Sequence, residues 1–414
     1  MMMMRLRSFP ALLLLAVVLA MLGSRAGAQD PLLLISLDGF RWDYCDRFPE
    51  ETPHLRRLRS EGISARGLIP PFPSNTFPGH YTLVTGLVPT SHGMLNNNMY
   101  DAALGIAFRY NQQVFNTDAR WWGGEPLWNT ATRQGLVSAC YFWPGSEAPV
   151  GGLRPALYKT FNNTTSFDTR LTELAGWLDL PAGQRPAVIT FYLEEANSVG
   201  HRYGPDSPEI RATVKLIDER IGVLRERLER EGRRLNLVIV SDHGMTPVDM
   251  DRVLALDRYL DLSGVQVDFE GSVVGLRPLD GNVDRMMAAL AALPPERARA
   301  YTAATLPARL KIDAANPRVP PVWIIPAEGW RLYRQSAIDR APQLPPVNGD
   351  HGFDPDFVSM QGVLIAHGPA FRTGGTIIDP VESIHVYNLL CAALGLQPAK
   401  NDGDDRLLGL MLAR

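Results

Sequence analysis

Four short, predominantly apolar runs mark the chain, at residues 32–37, 188–193, 235–240 and 363–366. Each is the length of a strand and shows no polar alternation, so each is predicted to be a parallel strand buried on both faces. Helical spacing fills the gaps. Thr52-Pro53 opens one helix, with proline in its first turn, and Gly62 closes it. A longer helix carries Ile210, Val214, Ile217, Ile221, Leu224 and Leu228 along one stripe and stops at Gly232. Buried strands alternating with amphipathic helices predict a doubly wound, mostly parallel α/β sheet. From 255 to 345 the pattern changes to short apolar stretches at 265–269 and 322–325, proline-rich turns and one Ala/Leu-rich helix at 283–293. This predicts a smaller α+β insertion, or capping subdomain, between a core segment at 29–254 and a second at 346–414.

The first 28 residues stand outside that pattern. Arg5 and Arg7 precede an apolar run at 11–22, too short for a comfortable membrane span, and Ala26-Gly27-Ala28 supplies small residues for cleavage. The segment reads as a secretory signal peptide, which makes the protein periplasmic or secreted. Its removal takes away three arginines and moves the formal charge from −3 to about −6. With no basic excess, binding to a nucleic-acid polymer is not expected. No later stretch is long and apolar enough to anchor the chain in a membrane. Cys45, Cys140 and Cys391 are too few and too scattered for a disulfide framework, so stability has to come from the core. The sequence leaves the oligomeric state open.

Candidate chemistry follows the strands. The run at 32–37 leads into Asp38-Gly39, and the run at 235–240 leads into Ser241-Asp242-His243-Gly244. The run at 188–193 leads through Glu194-Glu195 to Asn197 and His201. Open α/β sheets bind ligands at the carboxyl ends of their strands, which brings Asp38, Asp242, His243, Asn197 and His201 to one edge. His351, in Asn348-Gly349-Asp350-His351-Gly352, precedes the last run. Carboxylates and imidazoles of this kind suit zinc-type cations, and two such cations can clamp an in-line displacement at phosphorus. Thr76 stands where a loop enters a helix. On local pattern alone it reads first as a helix cap, and second as a hydroxyl nucleophile at an anion-favouring N-terminus.

Taken in order, several segments resemble the nucleotide pyrophosphatase/phosphodiesterase family of the alkaline phosphatase superfamily. They are Asp38-Gly39-Phe40-Arg41, the stretch from Pro73 to Gly86 around Thr76-Phe77-Pro78-Gly79-His80, and Ser91 to Asp101. Gly200 to Pro205, Ser241 to Met245 and Gly349 to Phe353 continue the series. The resemblance implies an alkaline-phosphatase-like fold and a two-zinc phosphodiesterase. Asp38, Asp242 and His243 would hold one Zn²⁺, and His201, His351 and the residue four before His201 the other. It further implies Thr76 as nucleophile, Asn97 as a donor to a phosphate oxygen, and Phe77 with Tyr192 as an aromatic pair around a nucleobase. The implied substrates are small nucleotides (triphosphates, dinucleotides or nucleotide diesters), cleaved to nucleoside 5′-monophosphates through a covalent threonine intermediate.

The chain departs from the family pattern at Asn197, where the family has Asp. An amide oxygen brings no charge, so the second zinc site is expected to be weakened, with Glu194 or Glu195 as alternative donors. Two other readings share the same residues: hydrolysis of phosphocholine or other small phosphodiesters, and a nucleotide-binding pseudoenzyme disabled by Asn197.

Overall fold

The computed structural model describes residues 30–413 apart from 231 and 233. The signal-peptide reading of residues 1–28 lies outside the described residues. Six strands come first in the central sheet: β1 (Leu32–Leu37), β2 (Ile63–Ile69), β3 (Ser138–Tyr141), β4 (Leu157–Lys159), β5 (Val188–Leu193) and β6 (Asn236–Val240). Four more, β7 (Val265–Phe269), β8 (Val274–Pro278), β9 (Ala298–Thr302) and β10 (Val322–Pro326), build a separate sheet. The chain then returns through β11 (Gly362–His367), β12 (Thr376–Ile378) and β13 (Val381–Glu382). Across the central sheet the order is β12-β2-β11-β6-β1-β5-β3-β4, with β13 also paired to β2.

Residues along each central strand feed two different cores. Leu32 and Leu34 of β1 join one cluster with Val238, Val240, Leu364 and Ala366. Leu33, Ile35 and Leu37 join another with Ile189, Phe191, Ile239 and Ile365. Because side chains alternate across a strand, burial on both faces demands the continuous apolar runs that the sequence shows. The helix at Pro208–Arg230 lays its whole apolar stripe, Ile210 to Leu228, on the second core. On the first, Val386, Leu389 and Leu390 come from the helix at Val386–Ala393.

One expectation is corrected. The run at 363–366 lies in β11, which is antiparallel to both neighbours, β6 and β2. Apolar composition reports burial on two faces, and an antiparallel strand in mid-sheet is buried as fully as a parallel one. The pairs β1–β5, β1–β6, β3–β5 and β3–β4 are parallel.

Between β6 and β11, the strands β7-β8-β10-β9 form an antiparallel sheet with its own core of Val274, Leu276, Leu290, Val322 and Ile324. Arg318 ties this region to the main body. Its guanidinium holds Asp101 at 2.7 Å and donates to the carbonyls of Gly93, Trp121 and Arg120. Cys45, Cys140 and Cys391 are all buried and unpaired. Among the described residues, no helix is long and apolar enough to cross a membrane.

Candidate active site

The parallel register of β1, β5 and β6 aligns Ser36 with both Tyr192 and Val240, so Asp38, Glu194 and Asp242-His243 leave the sheet at one edge. Three further segments converge on it. Helix α1 (Thr76–Thr85) presents Thr76 at its first position, and α2 (Glu195–Tyr203) carries Asn197 and His201 four residues apart on one face. The loop before β11 brings Asp350 and His351. A cavity of about 1000 Å³ opens over this edge, lined by Asp38, Thr76, Asn197, His201, Asp350 and His351 among others.

Two groups of side chains there can each hold a metal ion: Asp38, Asp242 and His243, all buried, and His201, Asp350 and His351. In the first, His243 Nε2 lies 3.3 Å from Asp38 Oδ1, 3.1 Å from Asp242 Oδ2 and 3.3 Å from Thr76 Oγ1. In the second, His351 Nε2 lies 3.1 Å from His201 Nε2. Backbone carbonyls orient all three imidazoles. His243 Nδ1 donates to Gly244, His201 Nδ1 to Gly349 and His351 Nδ1 to Ser74. Each ring therefore turns Nε2 inward, the arrangement that presents a lone pair to a cation.

Unmet acceptors give an independent test of fit. Asp38 Oδ1 and Asn197 Oδ1 are buried side-chain oxygens without a hydrogen-bond partner, while Asp242 Oδ2 meets only the imidazoles of His243 and His80. Buried polar atoms are ordinarily paired, and cations held at this edge would satisfy the two unpaired oxygens. Titration of the first group is consistent with that. Burial and the neighbouring Asp242 charge push the Asp38 carboxyl up to about 7. Burial opposes charge on His243, but the Asp242 carboxylate outweighs it and raises the imidazole to about 9. A cation would displace that proton.

Thr76 is not a side-chain cap. Asn75 occupies the N-cap position, and the Thr76 hydroxyl turns to His243 instead. His80, one turn along α1, donates through Nδ1 to the Thr76 carbonyl at 2.8 Å and stands 3.2 Å from Asp242 Oδ2. It thus links the nucleophile candidate to a ligand candidate. Asn97 accepts from the Phe77 backbone N–H at 2.8 Å through Oδ1, which fixes the amide at the cavity wall.

Asn197 sits against the backbone turn at Gly39, whose φ of +68° and closeness to Asn197 Cα leave no space for a side chain. Neither alternative donor takes its place. Glu194 is forked by Arg170 at 2.9 and 3.0 Å, and Glu195 is held by Arg220. Asp350, which the sequence shows only as the neighbour of His351, contributes a carboxylate to the second group instead.

Tyr192 lines the cavity and has a second contact that the sequence does not show. It is only 7% exposed, packed edge-on to His80, and its hydroxyl donates to Asp38 Oδ2 at 2.5 Å. That hydrogen bond engages one Asp38 oxygen and leaves the orphaned one for a cation. Tyr192→Phe is expected to weaken cation binding by about tenfold, the usual loss when an outer partner of a ligand is removed, as read by metal titration. An unchanged dissociation constant would refute the role. The most exposed aromatics lining the cavity alongside Phe77 and Tyr192 are Tyr110, 47% exposed, and Phe161, 46% exposed. Glu147 was also missed: its Oε1 accepts from the Phe161 N–H at 3.0 Å, while Oε2 is buried without a partner. Glu147 follows β3, a parallel strand like those that deliver Asp38 and Asp242, so the strand-end rule could have found it.

The type I phosphodiesterase/nucleotide pyrophosphatase model matches residues 32–354. The chain belongs to that family. A venom phosphodiesterase of Macrovipera lebetinus is 37% identical over 397 residues, covering 93% of this chain and 45% of the relative. Ectonucleotide pyrophosphatase/phosphodiesterase family member 3 of Rattus norvegicus is 35% identical over 394 residues, covering 93% and 44%. The chain thus spans about half the length of these curated relatives. Among solved family structures, murine ectonucleotide pyrophosphatase/phosphodiesterase 5 superposes with a TM-score of 0.86 at 31% identity, covering 92% of this chain and all of that one. An inactive variant of the same murine protein was solved in complex with AMP, with a TM-score of 0.85.

Proposed function

We propose that this chain is an exported phosphodiesterase that cleaves small nucleotide phosphodiesters to nucleoside 5′-monophosphates. The observation that carries the reading is the Thr76 hydroxyl, 3.3 Å from His243 in a cavity lined by members of both ligand groups, where Asp38 Oδ1 and Asn197 Oδ1 are buried without a partner. Asp38, Asp242 and His243 would hold one Zn²⁺, and His201, His351 and Asn197 the other, with Asp350 adjoining. Cations there would supply positive charge opposite the attacking and leaving oxygens of an in-line displacement.

The chain's own groups do the rest. Thr76 Oγ1 attacks phosphorus from the start of α1, where the helix dipole favours an anion. The phosphorus–oxygen bond to the leaving group breaks as the threonine ester forms, the hydroxyl proton going to the departing oxygen, and water then releases the 5′-monophosphate and restores the hydroxyl. Asn97, its carbonyl held by the Phe77 N–H, directs its NH₂ to a non-bridging phosphate oxygen. Phe77 and Phe161 offer ring surface for a nucleobase, with the free Glu147 oxygen near Phe161 as an acceptor for a base edge. AMP bound by the murine neighbour supports a nucleotide in the equivalent cavity.

The test is turnover of the p-nitrophenyl ester of thymidine 5′-monophosphate by zinc-loaded protein. Release of nitrophenol and thymidine 5′-monophosphate is expected, with a loss of about a thousandfold on chelation and recovery on adding zinc back. Chelator-insensitive turnover, or none at all, would reject the reading.

A further inference from the structure

The two ligand groups differ in the charge they can offer a cation. The first holds two carboxylates, and among the described residues the ion pairs of Asp38 and Asp242 are with the imidazoles of His243 and His80. The second holds two imidazoles, with the Asn197 amide lining the same cavity, so its one anionic member is Asp350. His201, Asp350 and His351 each bring a ligand atom within 4.8 Å of the others, near enough to share one ion. Asp350 is not undivided, however. Its Oδ1 accepts from the His351 N–H at 2.9 Å, and its Oδ2 faces Arg331 Nη1 at 3.7 Å.

Arg331 is buried, and its Nε has no hydrogen-bond partner. It belongs to the short strand Arg331–Tyr333, which pairs in parallel with Val253–Ala255, and its Nη2 donates to the Asp249 carbonyl at 3.3 Å. The strand pairing anchors its backbone, so the guanidinium keeps its charge beside the second group. At 3.7 Å it attracts Asp350 without hydrogen-bonding to it. For a divalent cation, that charge is both a repulsion and a rival for the only anionic donor. We infer that Asp350 is the anionic ligand of the second cation, that Arg331 competes for it, and that the two sites therefore fill in order. The Asp38, Asp242 and His243 site fills at low free zinc, and the His201, Asp350 and His351 site only at higher zinc. Ambient zinc then sets the fraction of chains that carry both ions. This rests on the two-cation phosphodiesterase reading above and adds its regulation.

The test titrates zinc into metal-free protein by calorimetry, with the melting temperature of each metal-free variant showing that it has folded. Wild type is expected to bind two equivalents in two steps, the second weaker by about tenfold to a hundredfold. Asp350→Asn should weaken the second step by a further tenfold or so and leave the first in place. Arg331→Met removes the charge and keeps an unbranched stem, and should strengthen the second step by about tenfold. Arg331→Lys retains the charge and should keep the steps apart. Two equivalents binding in one step would overturn the inference, as would a second step that neither Asp350→Asn nor Arg331→Met moves. In wild type, turnover of the nitrophenyl ester should rise with the second step. Full turnover at one equivalent would overturn the ordering's control of activity and leave the phosphodiesterase reading intact. Ordered binding without ester turnover would reject that reading alone, because the calorimetry needs no reaction.

Discussion

Replacing Thr76 with alanine is expected to lower kcat for the nitrophenyl nucleotide ester by about a thousandfold or more, the scale on which loss of a covalent nucleophile is felt. The Thr76 hydroxyl makes a single contact, at 3.3 Å to His243, and α1 keeps its Asn75 N-cap without it. The fold and the Phe77–Asn97 hydrogen bond therefore survive the change, and AMP affinity should shift much less than turnover. Thr76→Ser retains the oxygen and should keep a substantial part of the rate. Single-turnover measurements with rapid quench would show a threonine-linked nucleotide in wild type and none in the alanine variant. An alanine variant within tenfold of wild type would remove Thr76 from the chemistry.

Asn197→Asp is expected to move metal binding in the opposite direction. Asn197 Oδ1 is buried and unpaired, and the Gly39 turn packs closely against the Asn197 backbone and Cβ. Aspartate has nearly the same shape, so the substitution adds charge without volume. Affinity for the second cation should rise on the order of tenfold to a hundredfold, read by zinc titration and by bound stoichiometry. The metal-free protein should lose stability at the same time, by about 1–3 kcal/mol, because an ionised carboxylate replaces a neutral amide where no donor answers it. The combined signature is a wider melting-temperature gap between zinc-loaded and chelated protein. An unchanged gap with unchanged stoichiometry would mean that residue 197 does not face the cation.

How much of this was legible in the sequence depended on what each residue's neighbours were. Strands at 32–37 and 188–193 could be read to the residue because both of their faces are buried, which leaves a continuous apolar run. Asp38, Asp242 and His243 could be placed because they directly follow such strands. The direction of β11 could not, since its partners are set by the return path of the chain rather than by composition. The contact of Tyr192 with Asp38 is not legible because a strand-borne tyrosine can show either its ring or its hydroxyl to a site. The side chain at Asp38 decided for the hydroxyl, and that residue lies more than 150 positions away in sequence. Asp350 was passed over beside a more conspicuous histidine, although both belong to the same group of potential ligands. Nothing local marks Phe161 as a cavity residue, because a partly exposed aromatic in a loop gains meaning only from what it faces.

The reversed strand also sets an order of assembly. Since β11 enters the sheet at the edge where its neighbours leave it, its approach loop crosses the site and carries Asp350 and His351 over from the far end of the polypeptide. A ribosome that has released residues up to 340 has already delivered Asp38, Thr76, Asp242 and His243, but half of the second ligand group has yet to emerge. The second ligand group thus joins segments 150 positions apart, His201 from α2 and His351 from the approach to β11, so it exists only when both have packed on the same edge of the sheet.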